Sequence, residues 1–465
     1  VGVIITILIE NRNPTKTISW VLVIVFIPFV GLILYYLFGQ KFSKVKKLKR
    51  INQEQTLRLK KEFQRLEPLM QWSIRNIQSK IGDLSRVYSY LKNEKLSTPT
   101  LNNEVTLLVN GEQMFPALLE SLAAAKHSIH MEFYIFDLDN IGTQVLDLLE
   151  KKANEGIIVR LIVDSFGSPK VVRYMRKKKD SKIEFQPFLP VTFTSLANSN
   201  YRNHRKIAVI DGFVCFTGGI NISDRYANPN DFGLYWRDTS VKIVGNVGAM
   251  FQISFWNQWN QTDGKPFSLD DGYLRETPVV TDQLSAVALS SSDPGSIGPF
   301  NMEALLISIG EASESIKLCT PYFIPSEELS TALKTAAAAG VDVELMIPAE
   351  GDSWIVQHAT YSYLKPLLER GVKVYLYEKG FLHAKTSIID GKIAYVGTVN
   401  LDFRSFYINY EVAAVISNRD FCREMEKQYD IDRENCVMIT IKDWKKRKAW
   451  KRGVDSLCRL LAPLL

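Results

Sequence analysis

Two short stretches of this 465-residue chain carry the same chemically able side chains at the same spacing. His204, Lys206 and Asp211 read His-x-Lys-x4-Asp, and His383, Lys385 and Asp390 read it again. The agreement continues downstream. Gly218 and Gly397 stand 14 residues beyond their histidine, Asn221 and Asn400 stand 17 beyond, and Arg225 and Arg404 stand 21 beyond. A lone histidine is usually structural, and His127, His130 and His358 are read that way. Two copies with matched offsets are not chance. They suggest one active site built from two halves.

Phosphoryl transfer without a metal needs a nucleophile, positive charge around the non-bridging oxygens, and an acid for the departing oxygen. Two histidines and two lysines supply all of these if the halves face each other across a pseudo-twofold axis. One imidazole attacks phosphorus. The other, protonated, gives its proton to the leaving alkoxide and then acts as base for the incoming hydroxyl. Ordinary histidine titrates at about 6.5, so both forms are within reach at neutral pH. Lys206 and Lys385, with amide donors from Asn221 and Asn400, would hold the phosphate oxygens. Asp211 and Asp390 complete the motif. Each precedes a glycine, so an Asp-Gly hairpin turn is the stronger account of them, with a part in catalysis the alternative. Arg225 and Arg404 are matched in position but carry no assigned role.

The elements that must position these groups alternate between the two periods. Ser128 to Tyr134 reads as a strand, 141–154 as a helix ending near Gly156, and Ile157 to Val163 as a strand again. Such a unit builds parallel or mixed sheets. The second half echoes it: Ser315-Ile316 matches Ser128-Ile129, and Gly340 before Val341 to Ile347 matches Gly156 before Ile157 to Val163. Lys206 to Ile210 and Thr386 to Ile389 read as strands that enter the Asp-Gly turns. His204 and Lys206, two apart, then point to one face. The fold class is α/β, with two similar domains in tandem. The first is expected over 96–265, the second over 300–465 with a basic C-terminal tail, and 266–299, rich in Asp, Ser, Pro and Gly, links them.

The ends of the chain differ from its body. Thr17 to Phe38 is 22 residues without a charge, long enough to span a bilayer, with Trp20, Tyr35 and Tyr36 near its ends. Residues 1–9 are apolar but too few to cross alone. They are read as the remainder of a first membrane helix, so that 1–38 forms an anchor and an N-terminal helical hairpin. Residues 39–95 read as a helical basic linker. The net charge of +7 is concentrated: 41–50 carry +6 and 442–452 another +6, which leaves −5 for the rest. The basic cluster after Phe38 places that flank in the cytoplasm. The body is no basic nucleic-acid binder. Residues 442–465 alternate basic and apolar groups, as an interfacial helix does or as a helix packed on the second domain does. The five cysteines are odd in number and without metal spacing, so no disulfide framework and no metal site is expected.

The strings that carry the paired motif are YRNHRKIAVIDG with GGIN, YWRD at 235–238, FLHAKTSIIDG, and GTVNLDFRSFYINYE at 397–411. They resemble the phospholipase D superfamily, and within it the chain is similar to the bacterial cardiolipin synthases over nearly its whole length, the C-terminal RLLAPLL included. The resemblance implies two tandem phospholipase D-like α/β domains with pseudo-twofold symmetry, preceded by the N-terminal membrane helix or helical hairpin. It implies phosphatidyl transfer from one phosphatidylglycerol to another, giving cardiolipin and glycerol through a covalent phosphatidyl-histidine, with no metal and no cofactor. An acidic residue after each motif is expected to orient a site histidine; by position these are Asp238 and Glu411. His204 is expected to be the nucleophile and His383 the acid/base, with pseudo-symmetry leaving the swap open. The family often has serine where Thr398 and Gly219 stand. These departures are expected to be neutral, and they leave a hydroxyl contact to phosphate open.

A phospholipase D-type phosphodiesterase that hydrolyses phospholipid carries the same residues and is the alternative. A nuclease is disfavoured by the near-neutral body and the apolar N-terminus. A membrane-anchored binding protein with a dead site is disfavoured by the polar residues kept in both copies. The expected partners are an anionic phospholipid membrane and phosphatidylglycerol, with no nucleic acid. The expected place is the cell (inner) membrane, with the catalytic domains on its cytoplasmic side.

Overall fold

The structure, a computed structural model, describes residues 2–10, 14–38, 75, 77–79, 82–94, 97–189, 201–228, 233–262, 264–269, 272–273 and 285–460. The first half contributes β1 (Asn103–Val109), β2 (Ser128–Phe133), β3 (Ile158–Asp164), β4 (Glu184–Phe188), β5 (Lys206–Ile210), β6 (Val214–Gly218), β7 (Trp236–Arg237) and β8 (Thr239–Gly245). The second contributes β9 (Ala286–Ser292), β10 (Ser315–Cys319), β11 (Phe323–Ile324), β12 (Asp342–Pro348), β13 (Lys373–Tyr377), β14 (Phe381–Leu382), β15 (Thr386–Ile389), β16 (Ile393–Gly397), β17 (Leu401–Asp402), β18 (Glu411–Ser417) and β19 (Cys436–Ile439).

One sheet runs β1-β8-β6-β5-β2-β3-β4 and the other β9-β18-β16-β15-β10-β12-β13-β19. The orders correspond strand for strand, with β19 added at the far edge. In both sheets the parallel pairs are the same, β2–β3–β4 and β10–β12–β13. Each parallel step is bridged by a helix, as such a step requires: Asn140–Asn154 and Pro169–Lys177 in the first half, Glu327–Ala338 and Trp354–Leu368 in the second. The Asp-Gly turns form as expected. Asp211 (φ 52) and Gly212 (φ 81), like Asp390 (φ 52) and Gly391 (φ 57), take the left-handed backbone that a tight hairpin demands.

The two sheets share a core. Ile207, Val209, Val241 and Ile243 of the first pack with Ile388, Val396, Val412 and Ala414 of the second. Helices Gly248–Trp259 and Arg419–Arg433 contribute Phe251, Phe255, Phe421 and Met425 to the same cluster. Outer helices cover the other face of each sheet. The central strands are therefore buried on both sides, and β5, β6 and β16 read as largely apolar runs. Helix Arg86–Asn93 sends Val87, Tyr88 and Leu91 into the core of the second half. At the other end, helix Ala449–Arg459 docks on helix Trp354–Leu368, where His358 meets Asp455 at 2.7 Å. Trp450, Leu457 and Leu460 remain exposed.

The N-terminus departs from expectation. The apolar run 17–38 is broken into helices Pro14–Phe26 and Pro28–Phe38, and the first apolar stretch forms Gly2–Glu10. No helix among the described residues is long and apolar enough to cross a membrane. The break has a local cause. Pro28 has no N–H and its ring disfavours a continuous helix. Beyond it the chain folds back, so that Trp20 and Tyr35 meet edge to face at 5.3 Å. Gly31 permits this, since a Cβ there would stand 2.7 Å from the carbonyl oxygen of Val23. Of the 39–95 linker, residues 39–74 lie outside the described residues, and so do 461–465 at the C-terminus.

Candidate active site

Each histidine is placed by the opposite half. β7 pairs with β14, matching Trp236 to Phe381 and Arg237 to Leu382, and the His383 N–H donates to the Arg237 carbonyl at 2.7 Å. On the other side Asn203 bridges to Tyr410, and the His204 N–H donates to the Tyr410 carbonyl at 3.0 Å. The residue after each of these acceptors is an acid. The side chains cross as well. His204 Nδ1 lies 3.1 Å from Glu411 and 3.2 Å from the Thr398 carbonyl oxygen, and His383 Nδ1 lies 2.7 Å from Asp238. A carboxylate on Nδ1 fixes the proton there and leaves the Nε2 lone pair for attack.

Burial governs the charges. It holds the His383 imidazole down at about 3, with the Lys385 ammonium adding to the effect and Asp238 opposing it. His204 is lowered too, by burial first, with Glu411 opposing and Lys206 assisting. Burial brings Lys206 down to about 7 and Lys385 to about 8, each partly restored by Glu411 and Asp238. Burial pushes Glu411 upward, but His204, Lys206 and the Thr398 hydroxyl outweigh it and leave the carboxylate lowered. The influences run between halves: Lys385 acts on His204, and Lys206 acts on His383. Both imidazoles are thus held in their neutral form at neutral pH, and each feels both lysines.

The remaining sequence-derived residues divide. Lys206 and Lys385 donate to the carbonyls of His204 and His383. Asn221 accepts from the Ile135 N–H at 3.1 Å and donates to the Tyr226 hydroxyl at 2.6 Å, so its amide holds an aromatic neighbour of His383. Asn400 is buried, and its Oδ1 has no hydrogen-bond partner. Asp211 and Asp390 sit in the turns that the sequence favoured for them. Asp211 accepts the N–H groups of Lys126, His127 and Ser128, and Asp390 those of Ser313, Glu314 and Ser315. Each carboxylate clamps the loop that enters β2 or β10, at the end of the hairpin away from the histidines.

Several neighbours were not singled out from sequence. Tyr134 packs on His204 with ring centroids 5.0 Å apart, and the Lys206 ammonium lies 5.5 Å from the same ring. Trp236, Tyr226 and Phe381 surround His383 at 5.4, 5.6 and 5.8 Å. The YWRD string holds a signal for Trp236, since it is two residues before Asp238. The Thr398 hydroxyl donates to Glu411 and engages the Val412 carbonyl, so it steadies the carboxylate on His204. Gly219 is not neutral ground: a Cβ there would stand 2.1 Å from Asp238 Oδ1. Among the described residues, no group of three or more His, Cys, Asp or Glu could hold a metal ion.

A family model described as "Cardiolipin synthase, PLD-like domain" matches residues 118–252 and 305–433, one match in each half. The chain belongs to the cardiolipin synthase family of phospholipase D-like proteins. A second model, "Phospholipase_D-nuclease N-terminal", matches residues 1–40. The cardiolipin synthase of Alkalihalophilus pseudofirmus is 36% identical over 468 residues, covering 100% of this chain and 92% of its own. A Bacillus cereus relative named cardiolipin synthase 2 is 38% identical over 463 residues, covering 99% of this chain and 88% of its own. Among solved structures, the phosphatidylserine synthase of Haemophilus influenzae Rd KW20 matches with a TM-score of 0.63 at 15% identity, covering 83% of this chain and all of that one. That likeness concerns the fold alone.

Proposed function

We propose that the chain moves a phosphatidyl group from one phosphatidylglycerol to a second, forming cardiolipin and releasing glycerol. The observation that carries this reading is the crossed pair of carboxylate–imidazole contacts, Glu411 on His204 and Asp238 on His383. Nε2 of His204 attacks phosphorus, and the bond to the glycerol headgroup breaks. His383 protonates the departing glycerol oxygen. Entry of the phosphodiester anion supplies the charge that lifts His383 toward its protonated form. The terminal hydroxyl of the second phosphatidylglycerol then gives its proton to His383 and attacks the phosphatidyl-histidine. The phosphorus–nitrogen bond breaks, and both imidazoles are restored. Lys206 and Lys385 neutralise the phosphate oxygens throughout. No metal and no cofactor enters these steps.

The substrate places the protein at a lipid surface. Phe26, Ile27, Phe29 and Val30 are exposed on the N-terminal helices, an apolar surface suited to the bilayer interior. The charge of the run 41–50 suits anionic headgroups, as on the cytoplasmic side of the cell (inner) membrane. The partners are this membrane and phosphatidylglycerol rather than nucleic acid.

The reading is tested by incubating the full chain in vesicles with labelled phosphatidylglycerol and a chelator. Cardiolipin with free glycerol is the expected product. Phosphatidic acid as the main product would instead make the chain a hydrolase. No turnover would remove the enzymatic reading altogether.

A further inference from the structure

The YWRD string at 235–238 holds a charge that the steps above leave unused. Arg237 directly precedes Asp238 and is 4% exposed. Its guanidinium meets the equally buried carboxylate of Asp432, through Nε at 2.8 Å and Nη2 at 2.7 Å. Nη1 donates to the Asp238 carbonyl and, at 2.8 Å, to the Thr239 hydroxyl. One side chain thus ties Asp238 to helix Arg419–Arg433 of the second half. We propose that the Arg237–Asp432 pair is a positioning strut for the acid–base centre, holding the Asp238 carboxylate where it keeps His383 aligned for proton transfer; this rests on the transfer reading above.

Apolar side chains of similar volume commonly join two elements as well as a buried ion pair does. Asp432 is also unfavourably placed as a helical residue. It stands in the last turn of its helix, where the backbone already presents its negative end. Gln428 supports it with a donor at 3.1 Å. What the pair adds is direction. The planar fork against a carboxylate fixes the orientation of the guanidinium, which in turn aims Nη1 at the Asp238 carbonyl.

The other bonds around Asp238 complete the alignment. Its N–H donates to Asn110 Oδ1 at 3.0 Å, and the Asn110 N–H donates to its carbonyl at 2.9 Å. Asn110 takes the left-handed backbone, φ 59, to do so, a conformation that asparagine adopts more readily than most side chains. The Thr239 N–H donates to Asp238 Oδ1 at 2.7 Å, which leaves Oδ2 for His383 Nδ1. The His383 N–H in turn donates to the carbonyl of Arg237 itself. Backbone and ring of His383 therefore both hang on the two residues that the strut fixes. In the other half-site the residue before the steering acid is Tyr410, whose ring packs edge to face on Phe188 at 5.1 Å. The ion pair belongs to the His383 side.

The test separates proton transfer from nucleophilic attack through the leaving group, on the full chain in mixed micelles. The glycerol oxygen of phosphatidylglycerol needs a proton as it departs. The oxygen of phosphatidyl-p-nitrophenol does not. When His204 Nε2 bonds to phosphorus, that oxygen leaves with the electron pair as a stable phenolate. In Asp432→Asn the turnover of phosphatidylglycerol is expected to fall roughly 10²-fold, while the burst of p-nitrophenolate that marks the phosphatidyl-enzyme changes by less than about threefold. Arg237→Lys, which keeps the charge without the fork, should show the same split at smaller size. Should Asp432→Asn fail to fold, Arg237→Lys carries the comparison. A pair that serves folding alone moves both rates together through the folded fraction. Equal falls with the two substrates, or no fall with either, overturn the strut and leave the transfer reading standing. If the unmodified chain makes no cardiolipin, the transfer reading fails and the strut with it.

Discussion

The two half-sites perform the same geometric task with different parts. His204 meets a glutamate, Glu411, steadied by the Thr398 hydroxyl. His383 meets an aspartate, Asp238, whose carboxylate occupies the space that a side chain at 219 would need. Carboxylate length and the size of the residue opposite are thus matched within each half. The surroundings differ as well. Beneath His204, Asn203 donates to Glu132 at 2.7 Å, and Arg205 donates to Gln258 at 2.9 Å and to Ser291 at 2.7 Å. The corresponding positions beside His383 are Leu382 and Ala384, and aromatic rings close around it. Pseudo-symmetry of backbone has been kept while the side chains have specialised, one half polar and the other aromatic.

The largest effect should come from the imidazoles. His204→Ala and His383→Ala are each expected to lower the rate of cardiolipin formation by about 10⁴-fold or more. They should differ in what accumulates. A phosphatidyl-enzyme trapped from labelled substrate should persist when the acid/base is weakened and vanish when the nucleophile is removed. Label retained in His204→Ala would reverse the assignment.

The matching of carboxylate and opposing residue is the next test. Gly219→Thr alone forces Asp238 off His383 and should cost roughly 10²-fold in turnover, the weight of a displacement near 1 Å. Adding Asp238→Glu should recover much of that loss, because it recreates the pairing of the other half. A double-mutant cycle measures the coupling, and strict additivity of the two losses would refute the matching.

A gentler probe is pH. kcat/KM reports the free enzyme. It should fall as pH rises through the window set by Lys206 at about 7 and Lys385 at about 8, as the ammonium groups discharge. Stability has the opposite sign. Between these values and the ordinary lysine value of about 10.4 the unfolded chain binds more protons than the folded one, so the free energy of unfolding, and with it stability, rises with pH. Lys206→Arg should move the alkaline limb of kcat/KM upward. A profile identical to that of the unmodified chain would assign the limb to another group.

The smallest effect on chemistry should come from the motif aspartates. Asp211→Ala and Asp390→Ala each release three backbone N–H groups. They are expected to cost about 2–4 kcal/mol in stability, read from denaturant unfolding, while the folded fraction turns over nearly normally. Loss of turnover without loss of stability would return them to the reaction.

Much of this was legible from spacing. The repeat marked His204, Lys206, His383 and Lys385, and the alternation of strands and helices marked two α/β halves. The Asp-Gly pairs marked the hairpins, because positive φ at both positions is a local property. The crossing was not legible. Glu411 and His204 are 207 positions apart, and Asp238 and His383 are 145 apart. Local patterns do not report which half a side chain will serve. The aromatic wall of Tyr134, Tyr226 and Trp236 was hidden for another reason, since aromatic residues at strand ends look like core. The N-terminus misled because hydropathy counts apolar residues and does not weigh the reversal that Pro28 and Gly31 allow.

The exchange of backbone ladders between halves has an ancestral corollary. A precursor with one copy of the motif would carry an imidazole without its steering acid, and only by self-association could it complete the pair. Joining two copies in one chain makes that encounter intramolecular. Severed within 266–299, the two fragments should be inert apart and should complement one another when folded in each other's presence.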